Sequence, residues 1–87
     1  MWSVRLSPDA QNFLDKHDAH IANRIRKGLE KLKCENPFRY LEHFEGKDYY
    51  KFRIGDYRAL IDVDFEQKIV KIQILDLRGR IYEMKYR

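Results

Sequence analysis

The sequence has 87 residues, enough for one hydrophobic core and too few for two, so we expect a single domain over residues 1–87. Its 18 Lys and Arg residues outnumber 14 Asp and Glu residues, which gives a formal net charge of +4, and a hydrophobic content of 44% argues against intrinsic disorder. Charges from Arg5 onward argue against a signal peptide, and neither a membrane span nor a second cysteine is present, so we expect a reduced, cytoplasmic protein that uses no metal and no cofactor.

The first third of the sequence predicts one strand followed by two helices. Apolar and polar residues alternate over residues 2–6, which is typical of a strand with one buried face. Ser7 followed by Pro8 is a common helix start, and this helix reaches about Lys16. Asp18 can cap a second helix over residues 19–33. The apolar stripe of that helix consists of Ile21, Ile25, Leu29 and Leu32, with Gly28 at a close-packing position on the same side.

The middle of the chain is the least regular part of the sequence. Pro37 ends the second helix, because a proline disfavours helical geometry in the residue before it. Residues 38–48 match neither a helical nor a strand period. We therefore interpret them as a connecting segment, with Tyr40, Leu41 and Phe44 turned toward the interior.

The second half of the sequence predicts an antiparallel sheet. Strands over residues 49–54 and 57–64 flank Gly55 and Asp56, which suit a two-residue hairpin loop. A third strand follows over residues 68–77, and the tail forms about one helical turn. The predicted order is β-α-α-β-β-β, an α+β fold with two N-terminal helices packed on one face of a small, mainly antiparallel sheet. The opposite face of the sheet is then available for binding.

The hairpin brings basic residues together on that open face. With Gly55 and Asp56 in the loop, Arg53 lies opposite Arg58, and Lys51 lies two residues away on the same face. Like charges placed opposite each other cost about 0.2–1 kcal/mol, so folding alone does not favour this arrangement. A bound polyanion does, because phosphate accepts paired N–H bonds from guanidinium groups.

A second basic cluster ends the last strand and continues into the tail. Arg78 and Arg80 are followed by Tyr82 and Tyr86, and arginines among tyrosines suit single-stranded nucleic acid. Strict alternation puts Arg78 on the same face as Val70, Ile72 and Ile74. Lys27 and Lys31 form part of a basic row on the second helix, which can contact a phosphate backbone.

Simpler interpretations of these residues remain open from the sequence alone. The hairpin cations can extend into solvent or pair with Asp62 and Asp64. The tail tyrosines can cap a small core, and the basic row can be an ordinary solvated helix face. The three histidines, the isolated glycines and Cys34 match no zinc site, phosphate loop or nucleophile motif.

Two segments together resemble a known protein family. They are Tyr-Lys-Phe-Arg-Ile-Gly-Asp-Tyr-Arg at residues 50–58 and Arg-Gly-Arg-Ile-Tyr at residues 78–82. With the chain length and the predicted order of elements, they resemble the RelE/ParE superfamily of toxins from bacterial and archaeal toxin–antitoxin pairs. The Arg-Gly-Arg-x-Tyr ending is more similar to the archaeal members.

The resemblance implies a ribosome-dependent endoribonuclease that cuts mRNA in the A site without a metal. In that scheme the ribose 2′-hydroxyl attacks the adjacent phosphate, which gives a 2′,3′-cyclic phosphate and a free 5′-hydroxyl. By position, Lys51 corresponds to a phosphate-contacting lysine and Arg58 to the arginine that stabilises the scissile phosphate. Arg78, or alternatively Arg80, corresponds to the arginine that protonates or stabilises the leaving group, and Tyr82 to a tyrosine that stacks on the substrate.

One position departs from the family pattern. Arg53 stands where a lysine serves as general base, and a guanidinium is effectively never deprotonated. The resemblance also implies an acidic cognate antitoxin that wraps the toxin. It leaves two alternatives open, a ParE-like poison of DNA gyrase and a catalytically degenerate toxin that only binds its antitoxin.

Overall fold

The computed structural model describes residues 1–43 and 48–85, with side-chain surroundings given up to residue 81. Three α-helices, a single-turn 3-10 helix and five strands make up this part of the chain. In chain order they are β1 (Ser3–Leu6), α1 (Pro8–Lys16), α2 (Ala19–Glu30), the 3-10 helix (Pro37–Arg39), β2 (Glu42–His43), β3 (Tyr50–Ile54), β4 (Tyr57–Asp64), β5 (Ile69–Leu77) and α3 (Arg78–Lys85). None of the described helices is long and apolar enough to cross a bilayer.

The strands form one sheet in the order β1-β5-β4-β3-β2. β1 runs parallel to β5, and the other neighbours are antiparallel. The predicted α+β class and mainly antiparallel sheet are confirmed. Two elements extend the predicted order: β2 lies in the segment that had no assigned element, and the tail helix α3 is longer than the single turn expected.

Both N-terminal helices begin where the sequence predicts, because a side chain caps each one. The Ser7 hydroxyl accepts a hydrogen bond from the Ala10 backbone N–H at 3.1 Å, and Asp18 accepts one from the Ile21 N–H at 3.0 Å. α2 ends at Glu30, three residues before the predicted end. Residues 31–33 continue as turns whose N–H groups bond three residues back, the tighter geometry common at helix ends.

The hydrophobic core lies between the first two helices and one face of the sheet. Its fully buried side chains include Leu14, Ile25, Ile61 and Ile72. The close-packing prediction for Gly28 is confirmed, since a Cβ added there would lie 3.1 Å from Cγ2 of Ile54 on β3. The chain therefore brings α2 close to the first strand of the hairpin.

A bulge in β5 changes which residues face the core. Leu60 pairs with Ile74 and Ile61 pairs with Ile72, so Gln73 has no partner on β4. The carbonyl of Gln73 accepts a hydrogen bond from the Ser7 hydroxyl at 2.6 Å, which ties the bulge to the start of α1.

The bulge corrects one prediction about the second basic cluster. Alternation placed Arg78 on the face of Val70, Ile72 and Ile74. Instead, Ile72 and Leu75 both face the core, and Ile74 faces the other side with its partner on β4. The last residues of β5, and Arg78 after them, therefore face the opposite side of the sheet from the one predicted.

The connecting segment differs from its prediction at one residue. Leu41 is partly buried against the core as expected, but Tyr40 is 43% exposed. Phe38, in the 3-10 helix, takes the inward position by packing edge-on to Trp2 with ring centroids 5.2 Å apart. Phe44 lies outside the described residues.

Candidate functional site

The hairpin between β3 and β4 has the predicted loop and register. Gly55 has a φ of +59°, a conformation that glycine adopts without the steric cost of a Cβ. Arg53 pairs with Arg58, and Lys51 pairs with Leu60 on the same face. The hairpin therefore holds three basic side chains on the face of the sheet opposite α1 and α2.

The two basic clusters of the sequence meet in one cleft of about 420 Å³. Its described lining consists of Tyr40, Glu42, Lys51, Arg53, Arg58 and Arg78. Arg78 is brought there by the start of α3, where its backbone N–H donates to the Asp56 carbonyl of the hairpin loop at 3.1 Å. Four cations from β3, β4 and α3 thus surround one space, the arrangement that an anionic ligand requires.

Arg58 is a buried charged residue, with only 8% of its surface exposed. Its Nη1 donates to the carbonyl oxygens of Gly55 and Tyr57, each at 2.8 Å. Hydrogen bonds from a charged donor are stronger than neutral ones, so the loop fixes the guanidinium at the cleft wall. Such a preplaced cation can stabilise charge without reorganising.

Lys51 makes an ion pair with Glu42, which belongs to no motif of the sequence. Its Nζ lies 2.8 Å from Oε2 of Glu42, which β2 places beside it. The hydrogen bond and the charge of Lys51 lower the pKa of Glu42 below its usual 4.5. Desolvation opposes this, and the charge of Arg58 adds a further, smaller lowering. Glu42 therefore stays ionised at neutral pH, at the exposed wall of a cleft whose other charged residues, in the described part of the chain, are cations.

The aspartates considered as partners for the hairpin cations have other hydrogen bonds. Asp62 accepts from the Val63 backbone N–H at 3.0 Å, and Asp64 accepts from the Gln67 N–H at 2.9 Å in the turn before β5. They stabilise local backbone geometry in the way that short acidic side chains commonly do.

A basic groove continues from the cleft along the edge between β3 and α2. Its volume is about 450 Å³, and Lys27 and Lys31 from the basic row of α2 line it. Arg24 also lines it, with its guanidinium lying over Gly55. Tyr40 and Arg53 border both spaces. The cleft and the groove therefore form one continuous basic surface.

The remaining predicted residues lie on the tail. Arg80 is exposed on α3 and is not among the residues that line the cleft. Tyr82 belongs to α3, but its side chain, like the whole of Tyr86, lies outside the described part of the chain. Sequence reasoning missed Tyr40 and Glu42, because both belong to a segment whose structure depends on pairing with β3 and not on a local pattern.

Within the described ranges, no three His, Cys, Asp or Glu side chains lie together as a metal site would need.

Comparison with family models gives a match over residues 4–82 to the ParE toxin of the type II toxin–antitoxin system parDE. The chain belongs to the RelE/ParE toxin superfamily.

Solved structures of RelE toxins share the fold of this RelE/ParE toxin. The toxin–antitoxin complex RelBE2 of Mycobacterium tuberculosis matches with a TM-score of 0.75 and 25% identity over 88% of this chain and 98% of that chain. The archaeal RelE–RelB complex of Pyrococcus horikoshii matches with a TM-score of 0.70 and 26% identity over 91% and 97%. The intact RelBE complex of Escherichia coli, at 18% identity over 88% and 96% with a TM-score of 0.68, supports the fold alone. Comparison with curated proteins gives no significant match.

Proposed function

We propose that this RelE/ParE toxin is a ribosome-dependent endoribonuclease that cleaves mRNA in the A site. The observation that supports this most strongly is the convergence of Lys51, Arg53, Arg58 and Arg78 on one cleft. A scissile phosphate gains negative charge in the transition state of cleavage, and preplaced cations stabilise that charge. Action on the ribosome requires a cytoplasmic protein.

The proposed reaction is an internal transfer at one phosphate of the RNA. The 2′-oxygen forms a bond to phosphorus, the bond from phosphorus to the 5′-oxygen breaks, and the products are a 2′,3′-cyclic phosphate and a 5′-hydroxyl. Arg58, fixed by the hairpin loop, stabilises the phosphate oxygens, and Lys51 adds a second contact. Arg78 stabilises the departing 5′-oxygen, which takes a proton from water to become the 5′-hydroxyl. Tyr82 is proposed to orient the substrate, and Arg80 and Tyr86 are proposed to contact the RNA. No metal takes part.

The proton of the attacking 2′-hydroxyl needs an acceptor, and Arg53 cannot supply one because its guanidinium stays protonated. Glu42 fits this role as the carboxylate among the described residues that line the cleft. Its lowered pKa keeps it ionised and also makes it a weak base. Arg53 then acts by charge. Because Glu42 is a weak base, we expect the cleavage step to be slow and to depend on the ribosome to position the RNA.

The partner that holds the toxin inactive is proposed to be an acidic antitoxin that wraps the sheet. The structural relatives are toxin–antitoxin complexes, and the basic surface here spans both the cleft and the α2 groove. An acidic segment laid over this surface would pair with the same cations that bind RNA. Lys27 and Lys31 are proposed to contact the RNA backbone beyond the cleft when the antitoxin is absent.

Cleavage of ribosome-bound mRNA by purified toxin tests the proposal. Arg53→Ala and Arg78→Ala should each slow single-turnover cleavage about a hundredfold, the usual effect of removing one stabilising donor. Arg5→Ala is the matched control, since Arg5 is an exposed arginine on β1, at the far edge of the sheet from β3. It should cleave at the wild-type rate. Wild-type toxin that leaves A-site mRNA intact would refute the ribonuclease assignment.

A poison of DNA gyrase is the second candidate, because the matching family model is that of the ParE toxin. Under that alternative, purified toxin inhibits supercoiling by gyrase and leaves mRNA uncut. A degenerate toxin would do neither and would still bind its antitoxin. Running the supercoiling and cleavage assays on one preparation separates the three.

A further inference from the structure

Tyr40 occupies the junction between the cleft and the groove. It follows the 3-10 helix, where its backbone N–H donates to the Pro37 carbonyl at 2.9 Å. Its side chain is 43% exposed and, together with Arg53, lines both spaces. An RNA strand that passes from one space to the other would cross this ring.

Among the described residues, no aromatic pair accounts for an aromatic side chain at position 40. The neighbouring Phe38 contacts Trp2, Tyr50 and Phe65, the last in a stacked arrangement with centroids 5.6 Å apart. Among the described residues, the Tyr40 ring contacts no other aromatic ring. The exposed 43% of Tyr40 leaves apolar surface in water, beside the cations of the cleft and the groove, at some cost to folding.

We propose that Tyr40 is a stacking platform for a nucleobase of the bound RNA strand, placed where the backbone leaves the cleft for the α2 groove. This rests on the proposed function in taking RNA as the ligand. A π-face flanked by cations on both sides is the recurring design for single-stranded nucleic acid, in which bases stack on rings while phosphates follow the positive groups. Here Tyr40 borders both spaces, with Arg58 and Arg78 lining the cleft and Lys27 and Lys31 lining the groove.

Binding of two short probes to the full-length toxin tests the proposal. One probe is fluorescent hexaadenylate, and the other is a ribose-phosphate hexamer of the same length without bases. Tyr40→Leu should weaken hexaadenylate binding about five- to a hundredfold, the range for loss of one stacked base. Binding of the baseless hexamer should not change. Tyr40→Trp should bind hexaadenylate at least as tightly as wild type, because stacking needs the ring and not the hydroxyl.

Tyr49→Leu is the matched control, because Tyr49 is 45% exposed and lines neither the cleft nor the groove. It should leave both affinities unchanged. The salt dependence supplies a second readout. Tyr40→Leu should retain the wild-type slope of log affinity against log salt, whereas Arg53→Ala should reduce it by about 0.7, the value for one lost phosphate contact on a single strand.

Any one of the following outcomes would overturn the proposal. Equal hexaadenylate affinity of Tyr40→Leu and wild type would show that no base stacks on the ring. An equal loss of both probes, or a reduced salt slope, would show that Tyr40 only supports the cations. If Tyr40→Leu weakened an acidic antitoxin peptide alone, the ring would belong to a protein interface. These assays contain no ribosome, so failure of mRNA cleavage would refute the proposed function without changing the result for Tyr40.

Discussion

Replacing Arg58 by alanine should separate the structural part of its role from the electrostatic part. The change removes both hydrogen bonds from Nη1 to the Gly55 and Tyr57 carbonyls. We take about 1 kcal/mol for each bond, because one nitrogen makes both bonds and the hairpin loop borders solvent. Removing the like charge opposite Arg53 relieves repulsion and raises the free energy of unfolding by about 0.2–1 kcal/mol. The net loss of stability is therefore about 1.5 kcal/mol.

For a domain of this size, such a loss lowers the melting temperature by about 6–12 °C. Thermal unfolding followed by circular dichroism measures it, and urea unfolding gives the free energy independently. Arg53→Ala is the matched comparison, since Arg53 is exposed and faces the same cleft. That variant should melt at or slightly above the wild-type temperature, because it only relieves repulsion. Both variants should bind RNA more weakly than wild type, because each lacks one cation of the cleft.

The reasoning fails if Arg58→Ala melts within about 2 °C of wild type, since the loop hydrogen bonds would then contribute nothing measurable. It also fails if Arg53→Ala is destabilised as much as Arg58→Ala, because the loss would then follow charge and not the two carbonyl bonds.

Three further predictions concern the loop, the ion pair and the first helix cap. Gly55→Ala should lower the free energy of unfolding by about 1–2 kcal/mol in urea titration, because φ is +59° there; an unchanged value would contradict the left-handed loop. Lys51→Met should raise the pKa of Glu42 toward 4.5 in an NMR titration of its carboxyl group. In wild type the ion pair stabilises the fold at pH values above the pKa that Glu42 has in the unfolded state. This contribution disappears as the pH falls through the lowered pKa of Glu42 in the folded state. Ser7→Ala should lower the free energy of unfolding by about 1–2 kcal/mol, because Ser7 both caps α1 and donates to Gln73. A loss no larger than the roughly 1 kcal/mol of an ordinary cap would show that the bond to the bulge adds nothing.

Local signals in the sequence were sufficient for the hairpin and the helix starts. Gly55 and Asp56 separate two alternating runs, and that spacing alone sets Arg53 opposite Arg58. Ser7 and Asp18 cap helices through bonds to residues three positions later, so no tertiary information is needed. Three of the four cleft cations follow from these features and the strand period.

The rest depends on contacts between distant parts of the chain. β2 has two residues and exists because Glu42 pairs with Lys51, which no local pattern encodes. The bulge at Gln73 is set by the pairing of β4 with β5 and by the hydroxyl of Ser7, 66 residues away in sequence. It reverses the orientation that strict alternation gives Arg78. The exposure of Tyr40 likewise depends on Phe38 occupying the inward position.

The parallel pairing of β1 with β5 has a consequence for how the toxin is made. Ser3 aligns with Ile69, so the first strand to leave the ribosome has no neighbour until nearly the whole chain has been synthesised. Arg78 comes later still, and with it the fourth cation of the cleft. The complete cleft therefore forms only after β5 and the start of α3 have been synthesised.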